Sequence, residues 1–237
     1  MTGTYIELVG VAGVGKTTTA KILVDEARTS KVSIRTRVVV GKNLWLRVRT
    51  MYTIMMVVMS VPEIFSLYLV RTRNAYTHTP HIRRIIHTLV TRMIVDTAVI
   101  RCLMRKSSEY IVNDEGLIGK LVSLSVLTEI APSKVHALIE KLLPKPGMLV
   151  YVTSSPLTAL ERERARDIKL PFFNDMAYEL KEKFFYEAVR MYEALPTAIG
   201  SMSNVKSISI DNAGTYDDLT TEVASVVERI RAQILRG

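Results

Sequence analysis

The chain has a single cysteine, Cys102, a single tryptophan, Trp45, and only 7% aromatic residues. A lone cysteine excludes an internal disulfide and fits a reducing cytosol. Internal repeats, low-complexity tracts and long Gly/Ser/Pro linkers are all missing, so nothing in the 237 residues marks a domain boundary. One domain over 1–237 is expected. The first predicted strand starts almost at Met1, which leaves no room for a signal peptide, and a cytoplasmic protein is expected. His78, His81 and His87 lie on a basic stretch without further metal-ligating company, which argues against zinc.

Positive charge and apolar residues are abundant: the net charge is +9 and 48% of residues are hydrophobic. The arginines are scattered over several predicted helices. That favours a basic cleft for phosphorylated small molecules over a nucleic-acid or anionic-membrane surface. Residues 51–70 are apolar enough to raise the question of a membrane span. Pro62-Glu63 breaks the run at its centre, where an ionised carboxylate would be costly. Two helices, 44–60 and 63–75, are the expectation, with a peripheral membrane contact as the lesser reading.

The most informative segment is Gly10-Val11-Ala12-Gly13-Val14-Gly15-Lys16-Thr17, a complete G-x-x-x-x-G-K-[ST] phosphate loop. Tyr5–Val9 reads as a strand before it, and Thr17–Ala27 as a helix after it, with Ala20, Leu23, Val24 and Ala27 on one face. Glycines let the main chain approach a polyphosphate, and successive N–H groups then form an anion nest at the helix N-terminus. Gly10 to Thr18 are the expected ATP-binding residues, with Lys16 on the β- and γ-phosphates and Thr17 on Mg²⁺.

Further strands are expected at Val38–Val40, Tyr110–Asn113, Met148–Val152 and Val205–Ile210. Helices are expected at Leu117–Glu129 and Ser133–Leu143, with Ser133 as N-cap. Others are expected after Ser155-Pro156, from Phe172 or Asn174 to Leu195, and over Asp217–Leu235. Alternating strands and helices imply an α/β protein whose parallel sheet is covered on both faces. Ligands then bind beyond the carboxyl ends of the strands, which brings together the phosphate loop, residues 41–45, Asp114-Glu115, residues 153–155 and Asp211.

Asp114 follows an apolar strand, the place for a carboxylate that holds Mg²⁺ opposite a phosphate loop. Glu115 is its neighbour, and either could take a proton from an attacking hydroxyl; one of them could instead only cap the next helix. In Glu161-Arg162-Glu163-Arg164-Ala165-Arg166, Arg162 and Arg166 are one helical turn apart. Two guanidiniums so placed can close on a transferring phosphoryl group. Solvated Glu–Arg pairing is the plainer alternative.

The stretch Pro144–Arg166, with its strand MLVYV, the SP turn and LERERAR, resembles thymidylate kinases and related P-loop nucleotide kinases. The Glu182-Lys-Phe-Phe185 and Val189-Arg190-Met-Tyr192 run and the Ile208–Asp211 tail are similar too. The resemblance covers the first forty residues and most of 110–236. It implies a three-layer fold with a five-stranded parallel sheet and helices on both faces. It also implies a lid over 154–175 carrying Arg162 and Arg166, adenine near Asp211, and a helical acceptor-binding region over 42–108 in which Arg92 is the substrate arginine. Two motifs depart from that family. Its Arg-Glu-Pro is replaced by Gly41-Lys42-Asn43, and its Asp-Arg-aromatic by Asp114-Glu115-Gly116. A glutamate there would repel a phosphorylated acceptor and suit a neutral hydroxyl. Arg71, Arg73, Arg83, Arg84 and Arg92 could rebuild a phosphate clamp.

The expectation is therefore an ATP- and Mg²⁺-dependent phosphotransferase acting on a nucleoside monophosphate, nucleoside or sugar, with no nucleic-acid partner and with homodimerisation left open. The rival is a P-loop ATPase or switch acting on a protein, nucleic-acid or membrane partner. A sulfotransferase is a third reading, against which the arginine comb argues. Trp45 could stack on a base or pack in the core.

Overall fold

The structure, a computed structural model, describes residues 4–29, 34–36, 51–56, 58, 63–79, 81–105, 110–143, 147–165, 176–200 and 205–234. Its centre is a parallel sheet of β1 (Thr4–Val9), β2 (Ile34–Thr36), β3 (Tyr110–Asn113), β4 (Gly147–Thr153) and β5 (Val205–Asp211), in the order β2-β3-β1-β4-β5. Consecutive residues along β1 and β4 are buried. Side chains alternate between the faces of a strand, so burial of neighbours means that both faces are covered. The unbroken apolar run Met148–Val152 is the sequence signature of such a central strand.

The helices are α1 (Lys16–Thr29), α2 (Glu63–Tyr68), α3 (Ile82–Met104), α4 (Leu117–Leu127), α5 (Pro132–Leu142), α6 (Pro156–Arg164), α7 (Tyr178–Ile199) and α8 (Tyr216–Ile234); residues 51–56 are also helical. Helices α1 and α8 pack together, while α3, α4, α5 and α7 form a second group. In α3 the buried positions Ile82, Ile86, Val90, Met93, Ile94 and Thr97 follow the helical period. Proline starts α5 and α6, where its missing N–H costs no bond. Ser155 caps α6 as expected, its hydroxyl accepting from the Thr158 N–H at 3.1 Å.

Several expected boundaries move. A strand at Ile34–Thr36 pairs through Ile34 with Tyr110; the strand expected at 38–40 lies outside the described residues. The helix expected over 63–75 stops at Tyr68. Beyond it the chain is recruited by the end of α4: Thr72 bridges Thr128, the Arg73 N–H donates to Leu127 O (3.2 Å) and the Glu129 N–H to Arg71 O (3.2 Å). The same bridge ends α4 at Leu127 rather than Glu129. The N-cap of α5 is Ala131, not Ser133, because Pro132 already occupies the first turn. Helix α7 runs on to Ile199 past Pro196. Among the described residues no helix is long and apolar enough to cross a membrane.

Candidate active site

The sheet order places β1 between β3 and β4, and the chain crosses from β3 to β4 past it. The carboxyl end of β1 is therefore a switch point, where a crevice forms. The phosphate loop occupies it. Gly13 and Gly15 have φ of +85° and +91°, values that side-chain-bearing residues rarely adopt. A Cβ on Gly13 would overlap the Ala159 carbonyl of α6, and one on Gly15 would strike the Asn212 side chain. The loop is thus pressed between the first turn of its own helix and two later elements. Lys16 folds over it, its Nζ donating to Gly10 O (2.7 Å) and Val11 O (2.8 Å).

Asp114, at the end of β3, accepts a 2.8 Å hydrogen bond from the Thr17 hydroxyl. A hydroxyl and a carboxylate so joined beside a phosphate loop fit Mg²⁺, which takes few protein ligands and fills its shell with phosphate oxygens and water. Among the described residues no cluster of three or more His, Cys, Asp or Glu offers an all-protein metal cage. Glu115 follows; its N–H donates to Asn113 Oδ1 (3.2 Å), and its carbonyl accepts from Lys120.

A cavity of about 400 Å³ opens directly onto these groups. Gly10–Ala12, Lys16 and Thr17 form one side, with Asp114, Glu115 and Gly116 beside them. Another wall comes from His81, which caps helix α3, and from Arg84, Ile85, Thr88, Leu89 and Arg92 of that helix, spaced three and four apart as one helical face requires. Gly119, Lys120, Val122 and Ser123 of α4 and Phe184, Phe185, Ala188 and Tyr192 of α7 complete it. His81, which precedes α3, has φ of 65°, an unusual backbone for a histidine and one found at the cavity rim. Of the five arginines that could form a phosphate clamp, Arg84 and Arg92 line the cavity. Arg73 instead bonds Glu187 Oε2 and Thr128 O, each at 2.7 Å.

Beneath the Asp114–Gly116 turn lies a buried carboxylate that the motifs do not reveal. Glu7 of β1 accepts from the Ile118 N–H (2.6 Å) at the start of α4 and from the Tyr5 hydroxyl (2.9 Å). Burial raises its pKa, against the opposing pull of these bonds and of Lys120. Gly116 is needed there because any Cβ would overlap the Glu7 carboxyl group.

The arginine comb and the loop are on the same side. Arg162 is half-buried, and its Nη1 donates to Asn212 O at 3.2 Å. Arg166 lies outside the described residues, as do Trp45 and residues 41–45. Arg164 reaches the Tyr178 hydroxyl and stacks over that ring at 4.9 Å. Asp211 is the last residue of β5. Its Oδ1 accepts from the Ala213 N–H (3.1 Å), and its own N–H donates to Glu222 (2.8 Å). The next residue, Asn212, makes the contact with the loop, donating from Nδ2 to Val14 O at 2.7 Å. Sequence reading passed over Asn212 because a polar residue after a strand reads as turn. It likewise gave no role to Phe184, Phe185 and Tyr192 as cavity wall, although the aromatic run itself was visible.

No protein-family model matches the sequence, and no curated protein matches it. Among solved structures the chain is similar to a deoxyadenosine kinase from M. mycoides with its products dCMP and a flexible dCDP bound, at 12% identity and a TM-score of 0.49 over 96% of this chain and 98% of that one. It is similar to the same enzyme with bound dATP (13% identity, TM-score 0.49, 94% and 99% covered) and with bound dCTP (13%, 0.48, 95% and 99%).

Proposed function

We propose that the protein is an ATP-dependent phosphotransferase of the P-loop kinase class, thymidylate kinase-like in its lid, that moves the γ-phosphoryl of ATP to a small molecule held in the cavity. The carrying observation is that a cavity of about 400 Å³, walled by Phe184, Phe185 and Tyr192, opens onto Lys16, Thr17, Asp114 and Glu115 together. A pocket of that size and lining suits a small organic molecule. A nucleotide switch for a macromolecular partner has no need of such an enclosure beside its phosphate loop.

In this reading the residues 10–18 hold the triphosphate, with Lys16 and the comb arginines Arg162 and Arg166 balancing charge on the moving group. Thr17 and Asp114 hold Mg²⁺, which would neutralise charge on the phosphate oxygens. Glu115 lines the cavity beside this pair and, in this reading, receives the acceptor's proton. The acceptor oxygen forms a bond to the γ-phosphorus as the bond to ADP breaks. Arg92 and Arg84 face the acceptor and orient it, and closure of the comb excludes water. The acceptor is a nucleoside, nucleoside monophosphate or sugar.

The test is ADP release, coupled to a colour reaction, over a panel of nucleosides, nucleoside monophosphates, and free and phosphorylated sugars. At least one should accelerate release well above the acceptor-free rate. Equal release with and without every acceptor would instead identify an ATPase.

A further inference from the structure

Asn212 makes three hydrogen bonds that join separate parts of the site. Its backbone N–H donates to Thr153 O at 2.7 Å, which fixes it at the ends of β4 and β5. Its side-chain Nδ2 donates to Val14 O at 2.7 Å, and its carbonyl accepts Arg162 Nη1 at 3.2 Å. The residue is 7% exposed. The amide orientation is dictated by its partner, since a carbonyl can only be met by a donor.

A trans peptide carries its C=O and the following N–H on opposite sides. Pinning the Val14 carbonyl outward on Asn212 therefore turns the Gly15 N–H the other way, toward the inside of the phosphate loop. That N–H is part of the anion nest. Gly15 permits the close approach, having φ of +91° and no Cβ to strike the amide. The same residue receives the comb arginine, so loop shape and arginine position depend on one side chain and its own carbonyl.

We infer that Asn212 is a positioning residue for phosphoryl transfer: it aims the loop's amides at the nucleotide's phosphates and seats Arg162 against the loop. The inference rests on the proposed nucleotide-binding role of residues 10–18. It concerns the nucleotide and not the acceptor, and it does not depend on which acceptor is used.

The experiment measures ATP and ADP binding by calorimetry for the wild type, Asn212→Ala and Asn212→Asp, with thermal melts alongside and acceptor KM where an acceptor is known. Binding of ATP by the wild type is the prior control, and its failure would sink the proposed function itself. Loss of one buried hydrogen bond should weaken both nucleotides by about tenfold in Asn212→Ala, with acceptor KM unchanged. Asn212→Asp sets a carboxylate against the Val14 carbonyl and should be weaker still at neutral pH. It should regain affinity relative to the wild type as pH falls, because a protonated carboxyl can again donate. A purely structural role would shift the melts of both variants and leave the nucleotide affinity of the folded protein unchanged at every pH. Wild-type affinity in both variants, or parallel loss of ATP and acceptor affinity with no recovery at low pH, would overturn the inference.

Discussion

The hydroxyl of Thr17 and the carboxylate of Asp114, 97 residues apart in sequence, meet at 2.8 Å. The first residue of the loop's helix after Lys16 is thereby tied to the end of the neighbouring strand β3, and the pair forms a place beside the loop suited to a hard cation. Thr17→Ala and Asp114→Asn should each lower kcat/KM for ATP by roughly a hundredfold, about 2.7 kcal/mol of transition-state stabilisation. Titrating activity with Mg²⁺ checks this: both variants should need more metal, with melting temperatures little changed.

Gly13→Ala should fail for a reason unrelated to chemistry. The new Cβ would meet the Ala159 carbonyl, at a backbone φ of +85°. A destabilisation of about 2 kcal/mol or more is expected, with loss of ATP binding, and denaturant unfolding measures it.

Arg83 and Arg84 are neighbours, yet only Arg84 lines the cavity. Arg84→Ala and Arg92→Ala should raise acceptor KM by about tenfold for an anionic acceptor and leave ATP KM alone. Arg83→Ala should leave both unchanged. Steady-state kinetics with each substrate varied in turn separates these outcomes.

Glu115→Gln removes the proposed proton acceptor while keeping its size. A fall in kcat of between about 10² and 10⁴ is expected, with ATP binding by calorimetry intact. Undiminished kcat would move that role to another group.

Glu7 ties stability to pH. Its folded-state pKa lies above the ordinary value of 4.5. The folded state therefore binds more protons than the unfolded state between those two values, and stability falls as pH rises through that window. Glu7→Gln preserves a partner for the Ile118 N–H and Tyr5 but does not ionise. Melts from about pH 4 upward should show a decline in the wild type that is smaller in the variant. Identical slopes would contradict this.

Much of the candidate site's layout could be read in the residues. The loop needed only its own glycines and flanking periodicities, and Asp114 needed only its place after an apolar strand. What could not be read depends on contacts between distant segments. Asn212 matters because β5 ends beside the Val14 carbonyl, and nothing local announces that. Beyond the early end of α2 the chain pairs Thr72 with Thr128, a long-range contact that the apolar run read as helix does not announce. Glu7 looks like an error in a buried strand until the start of α4 is seen above it.

Helix α3 turns Ile82, Ile86, Val90, Met93 and Ile94 into the interior and His81, Arg84, Ile85, Thr88, Leu89 and Arg92 toward the cavity. The two sets share no member. Under the proposed function, what the protein recognises and what keeps it folded are encoded on different sides of one rod. Selectivity could then drift, or be redesigned, by exchanging a handful of outward letters while the scaffold's inward ones stay fixed.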